Sequence, residues 1–306
     1  MKTFRVLTVV ALGLLSMAAA HAQKGGTSKT GSTTPQLQSW MSPEVGDAWK
    51  AGYKGSGVTI TVVDDFRSNN GLYGNLGQGT QLLRHGEWTY KEANMIAPSA
   101  TMRAQDFTSG TAVALNRGLN VLNLSYGMYA PAGYTASQIN WSAQESSIIN
   151  YAQNGRAVIS KAAGNDAVAI GAANASGNVD YLNLALKGTQ SAIFVGALNT
   201  NGTTSAPATL ASYSNFAGAD ATVQKQFLVV GVEGAKTGLY GTSFAAPIIT
   251  GYSAILGSKF TSATPTQIAN QLLNTARQDT ISGYNAAIHG RGEASITRAL
   301  APVSIQ

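Results

Sequence analysis

The 306-residue sequence contains no cysteine. Disulfides, Cys-ligated zinc and iron–sulfur clusters are therefore excluded, and the fold must be held by packing. Charge is scarce too: Asp, Glu, Lys and Arg make up 11% of residues. Coiled coils and acidic disordered tails need far more, so both are excluded. The 20 Lys and Arg exceed the 14 Asp and Glu and give a net charge of +6. The basic residues are scattered, and without a clustered stripe no nucleic-acid partner is expected. Beyond residue 22 no apolar run approaches the ~20 residues of a membrane helix, so no membrane span is expected. Nothing in the sequence sets the oligomeric state.

What is present points to a globular chain. Hydrophobic residues make up 44%, mean hydropathy is +0.01 and there are 34 glycines. That supplies a core for one large domain. Lys2 and Arg5 precede an apolar run at 6–17, and Ala20-His21-Ala22 follows. A short basic region, a short apolar region and an Ala-x-Ala end read as a secretory signal peptide over 1–22. Export without cysteine fits a bacterial periplasm or the cell exterior. Residues 23–41, rich in Gly, Ser and Thr, read as a flexible polar linker.

From 42 to 300, short β-branched runs alternate with amphipathic stretches. Strands are expected at 58–63, 121–124, 157–160, 192–195 and 227–232. Helices are expected at 139–153, 244–256 and 266–276, with another near 87–95. Continuous apolar strands alternating with helices predict an α/β domain, a three-layer sandwich around a mainly parallel sheet.

Reactive groups in such sheets collect at the carboxyl ends of strands. Asp64-Asp65 follows the first run. Lys161-Ala162-Ala163-Gly164-Asn165 follows the third. His85-Gly86 precedes one helix, and Gly241-Thr242-Ser243 opens another. Each residue has a plain structural use as well: Asp64 or Asp65 as a turn, Asn165 or Ser243 as a helix cap, His85 as a packed side chain. A different order is also available. Gly241-x-Ser243-x-Ala245 is close to a nucleophile elbow, and with Asp279 and His289 it would make an esterase.

The blocks Thr61-Val-Val-Asp64, His85-Gly86, Ala162-Ala-Gly-Asn165 and Gly241-Thr-Ser243-Phe-Ala-Ala-Pro247 occur in the order of a known family. They resemble subtilisin-like serine peptidases. Trp49–Val58, Ile96–Ala100, Leu122–Gly127 and His289–Ile296 are similar to supporting blocks of that family. The resemblance implies a subtilisin-like fold and a secreted serine endopeptidase acting on polypeptides. In it, Ser243 is the nucleophile, His85 the base, Asp64 the orienting acid and Asn165 the oxyanion donor. The substrate strand would lie beside Ser125, Tyr126, Gly127, Ala162, Ala163 and Gly164, with Tyr126 and Lys161 shaping the specificity pocket. No cofactor is implied. Family members often bind calcium, but no Asp-rich calcium loop is readable here, so no metal is assigned.

The sequence departs from the family at Asp65-Phe66, where Ser/Thr-Gly is usual, at Glu87-Trp88, where small residues are usual, and at Lys161. The polar stretch before residue 42 is too short for a folding propeptide domain. These departures leave open a relative that keeps the cleft and binds peptides without cutting them.

Overall fold

The computed structural model describes residues 35–305. The expected signal peptide and most of the expected linker lie outside the described residues. Among the described residues the strands are β1 (Val58–Asp64), β2 (Leu72–Gly74), β3 (Gln81–Leu83), β4 (Thr101–Asp106), β5 (Leu119–Leu124), β6 (Tyr129–Pro131), β7 (Val158–Ala162), β8 (Asn178–Asp180), β9 (Ala192–Leu198) and β10 (Phe227–Gly231). Six form one sheet in the order β10-β9-β7-β5-β1-β4, and every neighbouring pair is parallel. Two antiparallel ribbons, β2–β3 and β6–β8, stand apart from it.

Alternation along each strand builds two cores. Ile60, Val62, Val121, Val158 and Val195 pack on one face with Trp88, Ile96, Ile249 and Leu272. Val63, Leu122, Leu124, Ile159 and Phe194 pack on the other with Ile148, Leu182 and Leu186. Helices therefore cover both faces, and the expected three-layer α/β sandwich is observed. The helix Ala246–Lys259 is buried at every position from Ala246 to Gly257. That explains its uniformly apolar and small composition, since a surface helix carries a polar face. After β1 the chain runs to β4 at one edge, then reverses through β5, β7, β9 and β10. The reversal leaves a crevice beyond the carboxyl ends of β1 and β5, where ligands bind in sheets of this kind.

The sequence reading differs from the structure in places. Trp40 and Met41, read as the end of the linker, are buried, and the Trp40 indole N–H donates to the Leu76 carbonyl at 3.1 Å. The ordered domain therefore starts before residue 42. The helix expected at 139–153 is Ala143–Gln153, because the Ser142 side chain accepts from the Gln144 N–H and fixes the start there. The helix expected at 266–276 is Pro265–Asn274, capped by Thr264. Helix Pro43–Lys50, capped by Ser42, was not expected. Nor was β4, an edge strand that is mostly half-buried and polar.

The helix His85–Ile96 carries one feature with a measurable consequence. Glu92 is 1% exposed, its Oε2 finds no hydrogen-bond partner, and burial raises its pKa well above 4.5. Below pH 4.5 folded and unfolded chains both hold this proton. As pH rises further the unfolded chain ionises while the folded chain resists, so stability falls until the folded carboxyl also ionises. Glu92→Gln removes that loss. At pH 8 its Tm is expected to exceed wild type by about 2–4 °C, the shift for ~1 kcal/mol in a domain of this size. At pH 4 the advantage disappears. Calorimetric melts at both pH values check it, and an equal difference at both contradicts it.

Candidate active site

Asp64 ends β1 and is 1% exposed. His85 opens the helix His85–Ile96, and its Nδ1 lies 2.6 Å from Asp64 Oδ1. Two more donors hold the carboxylate. The Asp65 N–H donates to Oδ1 at 2.7 Å and the Thr89 hydroxyl to Oδ2 at 2.8 Å. Thr89 sits one helical turn after His85, so a single helix supplies both the imidazole and a brace for its acid. Burial alone lowers the His85 pKa. The Asp64 charge, its hydrogen bond and the Asp65 charge outweigh burial, and the pKa is raised above 6.5.

Glycine is required beside the histidine. A Cβ on Gly86 would stand 2.6 Å from the Asp65 carbonyl oxygen. The Gly86 N–H donates to that same carbonyl at 3.0 Å, which locks the helix start onto the end of β1. The unusual neighbours are absorbed without disturbing this junction. Trp88 is fully buried and donates to the Leu72 carbonyl at 2.9 Å. Glu87 caps the helix by accepting from the Arg84 N–H at 2.8 Å. Asp65 takes the turn role: it accepts from the Arg67 and Ser68 N–H groups and the Ser68 hydroxyl.

Ser243 lies in the 3₁₀ turn Thr242–Phe244 that leads into the buried helix. Gly241 precedes it at φ 126°, a conformation that favours glycine. The Ser243 N–H belongs to the first turn, where helical N–H groups lack intrahelical acceptors. The Ser243 hydroxyl donates to the Ser125 carbonyl at 3.2 Å, while the Ser125 hydroxyl donates to the Ser243 carbonyl at 2.8 Å. The hydroxyl is thus parked on the residue that follows β5 rather than on the imidazole. The His85 and Phe244 rings are 5.6 Å apart.

Asn165 faces the serine turn. Its Oδ1 accepts from the Thr242 N–H at 2.8 Å and the Thr242 hydroxyl at 3.1 Å. A backbone N–H needs an oxygen partner, so the amide orientation is fixed and Nδ2 is left as the unspent donor. A Cβ on Gly241 would come within 3.2 Å of Nδ2. The Thr242 hydroxyl also accepts from the Gly164 N–H at 3.0 Å. Thr242 therefore ties the asparagine loop to the serine turn, a role the sequence did not single out.

One cleft is lined by His85, Ser243, Asn165, Ser125, Tyr126, Gly127, Ala162, Gly164, Lys161, Thr242, Tyr129 and Asp180. Of the residues expected along the substrate, Ala163 alone is not at this surface. It is fully buried, and its carbonyl accepts from the Asn183 and Asn215 amides, both at 3.1 Å. Tyr126 lines the cleft and bonds Glu145 at 3.2 Å. Lys161 is also buried and forms an ion pair with Asp180 at 3.0 Å. Tyr129 and Asp180 were not expected. They arrive through the β6–β8 ribbon, whose pairing leaves little mark in a local pattern.

His289 lines a different cavity, with Leu210, Phe216 and Ile288. Its Nδ1 accepts from the Asn285 N–H at 3.1 Å. The esterase arrangement of Ser243 with His289 is therefore not assembled. Among the described residues no three acidic or histidine side chains converge to hold a metal. The carboxylates of Asp65 and Asp106, near the cleft end of β1 and β4, are spent on backbone and hydroxyl donors. No described helix is long and apolar enough to cross a membrane.

A sequence profile of the Subtilase family matches residues 89–292. The chain belongs to the subtilase family. It is accordingly a serine-type peptidase, a hydrolase with a polypeptide substrate. The match begins four residues after His85, so Asp64 and His85 are placed by the structure, not by the match. Among solved structures, the prenylagaramide maturation protease PagA is 19% identical with a TM-score of 0.56, covering 84% of this chain and 97% of that one. A lanthipeptide protease is 18% identical with a TM-score of 0.56, covering 85% and 93%. MycP1 from Mycobacterium smegmatis is 19% identical with a TM-score of 0.53, covering 90% and 87%. At these identities the likeness is one of fold, and this subtilase shares it over most of its length. No curated protein matches the sequence.

Proposed function

We propose that this subtilase is an exported endopeptidase that cuts peptide bonds through an acyl-enzyme, with Ser243, His85 and Asp64 as triad and Asn165 as oxyanion donor. One observation carries the reading: a buried Asp64–His85 pair at 2.6 Å opens onto the same cleft as Ser243 and an oriented Asn165. The leader-like segment 1–22 supports export from a bacterial cell.

The peptide lies extended along Ser125–Gly127 by strand addition. The Ser243 hydroxyl swings from the Ser125 carbonyl to His85 Nε2, which takes its proton as Oγ bonds the scissile carbonyl carbon. Asp64 fixes the tautomer by accepting from Nδ1–H and stabilises the imidazolium. The oxyanion is met by the Ser243 N–H and Asn165 Nδ2. His85 returns the proton to the leaving amine as the C–N bond breaks. Water, deprotonated by His85, then releases the acyl group and restores Ser243.

Removing the Asn165 amide tests the oxyanion assignment. Asn165→Ala is expected to lower kcat by about 10²–10³-fold with little change in KM, the loss that follows removal of such a donor in a related subtilisin. Steady-state kinetics on a peptide anilide measure it, and a loss under about tenfold overturns the assignment.

A further inference from the structure

We propose that Tyr129 sets the size of the side chain accepted at the scissile bond, restricting it to glycine, alanine or serine. This rests on the peptidase reading above. With the acyl carbon at Ser243 Oγ and its oxygen toward Asn165, the adjacent side chain must enter between two walls of the cleft. One is Ser125–Gly127 beyond β5, and the other is Ala162–Gly164 at the end of β7. The Tyr129 ring stands between them. Its Cε2 lies 2.5 Å from where a Cβ on Gly127 would stand, and its hydroxyl 3.3 Å from a Cβ on Gly164. Both walls are glycine where the ring meets them, so the ring occupies the space the two glycines leave open.

The ring is held there. Tyr129 pairs with Asp180 in the antiparallel β6–β8 ribbon, and its hydroxyl donates to Asp166 Oδ2 at 3.2 Å. Burial, with the charges of Asp180 and Asp166, pushes the phenol pKa upward, so the hydroxyl keeps its proton. The cleft is closed beneath by the Lys161–Asp180 pair, in which Lys161 Nζ also donates to the Ala162 carbonyl at 2.6 Å. Asp180 Oδ1 accepts from the Met128 and Leu182 N–H groups, and Asp166 Oδ1 from the Asn174 amide. Each carboxylate near the ring is spent on a donor of the protein itself. Lys161 neutralises Asp180, and Asp166, which has no cation partner among the described residues, spends both oxygens on the Tyr129 hydroxyl and the Asn174 amide, so the site is shallow and the ring limits what enters it.

The experiment measures kcat/KM for succinyl-Ala-Ala-Pro-Xaa p-nitroanilides, with Xaa as Gly, Ala, Phe, Leu or Lys. Wild type is expected to cut the Ala substrate at least about tenfold better than the Phe one, the discrimination a filled apolar pocket can supply. Tyr129→Gly opens the pocket and raises the Phe-to-Ala ratio by at least about tenfold. Tyr129→Phe loses the bond to Asp166 but keeps the ring, and keeps the wild-type order. A wild-type preference for Phe, Leu or Lys overturns the proposal, whether or not the glycine variant folds. A folded wild type that cuts none of the five overturns the peptidase reading instead. The pocket is then read by calorimetric binding of the same peptides to Ser243→Ala. Tighter binding of the Ala peptide than the Phe peptide upholds it, and equal or reversed affinity overturns it.

Discussion

Ser243→Ala lowers kcat on a peptide substrate by about 10⁶-fold, His85→Ala does the same, and the double variant is no slower than either. The non-additivity is the informative part. A serine hydroxyl without a base is a poor nucleophile, and an imidazole without the hydroxyl has no proton to take. Either substitution therefore removes the whole covalent route and leaves only what the Asn165 amide and the cleft supply. Ser243→Ala should not disturb the fold. Ser243 Oγ makes a single bond, to the Ser125 carbonyl, and the helix behind it is held by apolar burial. A melting temperature near wild type alongside the rate loss checks this. A double variant slower than both singles by another large factor would mean that the two residues act independently, contrary to the account.

Asp64 gives the second-largest effect and a pH signature. Asp64→Ala is expected to lower kcat by about 10⁴-fold, the order for loss of the orienting acid. Asp64→Asn should lose less, because of the donors around the carboxylate. The Asp65 backbone N–H is fixed on Oδ1, whereas the Thr89 hydroxyl can turn to the Gly86 carbonyl, 3.2 Å away, and accept from an amide. An asparagine at 64 would thus place its NH₂ toward Thr89 and keep its oxygen on His85 Nδ1, preserving the tautomer. Charge is lost either way. His85 is neutral when it acts as base, and Asp64 holds its pKa above 6.5. The wild-type rate should therefore climb with pH through a midpoint above 6.5, and both variants should shift that midpoint downward. Kinetic pH profiles and an NMR titration of the His85 ring measure it. An unshifted midpoint, or an asparagine variant as slow as the alanine one, contradicts the assigned network.

The chemistry of the site was more legible in the sequence than its shape. Asp64, His85, Asn165 and Ser243 each follow or open a strongly patterned element, so a local reading finds them. The central strands were legible for the same reason: burial on both faces leaves continuous β-branched runs such as Val58–Val63. Edge strand β4 was not legible, because Thr101–Asp106 is only partly buried and carries polar residues in place of a continuous apolar run. Asp64 is favoured over Asp65 in the sequence because it directly follows the apolar run, and in the structure Asp65 carries the turn bonds to Ser68. Ala163 sits in the right block but points into the core, a consequence of strand alternation at the end of β7. Tyr129 and Asp180 escaped altogether. Their place in the cleft depends on the pairing of two three-residue strands far apart in sequence. The same pairing hides the partner of Lys161, which looked out of place in sequence and is neutralised in the fold.

The central claim is that Ser243 and His85 form a working nucleophile–base pair although the hydroxyl rests on the Ser125 carbonyl. Labelling of the purified protein with a fluorophosphonate probe tests it most directly, because the probe reports an activated serine without needing the right peptide. The account predicts labelling of wild type that is lost in both Ser243→Ala and His85→Ala and kept in His289→Ala. A folded wild type that takes no label, or labelling that survives His85→Ala, would contradict it.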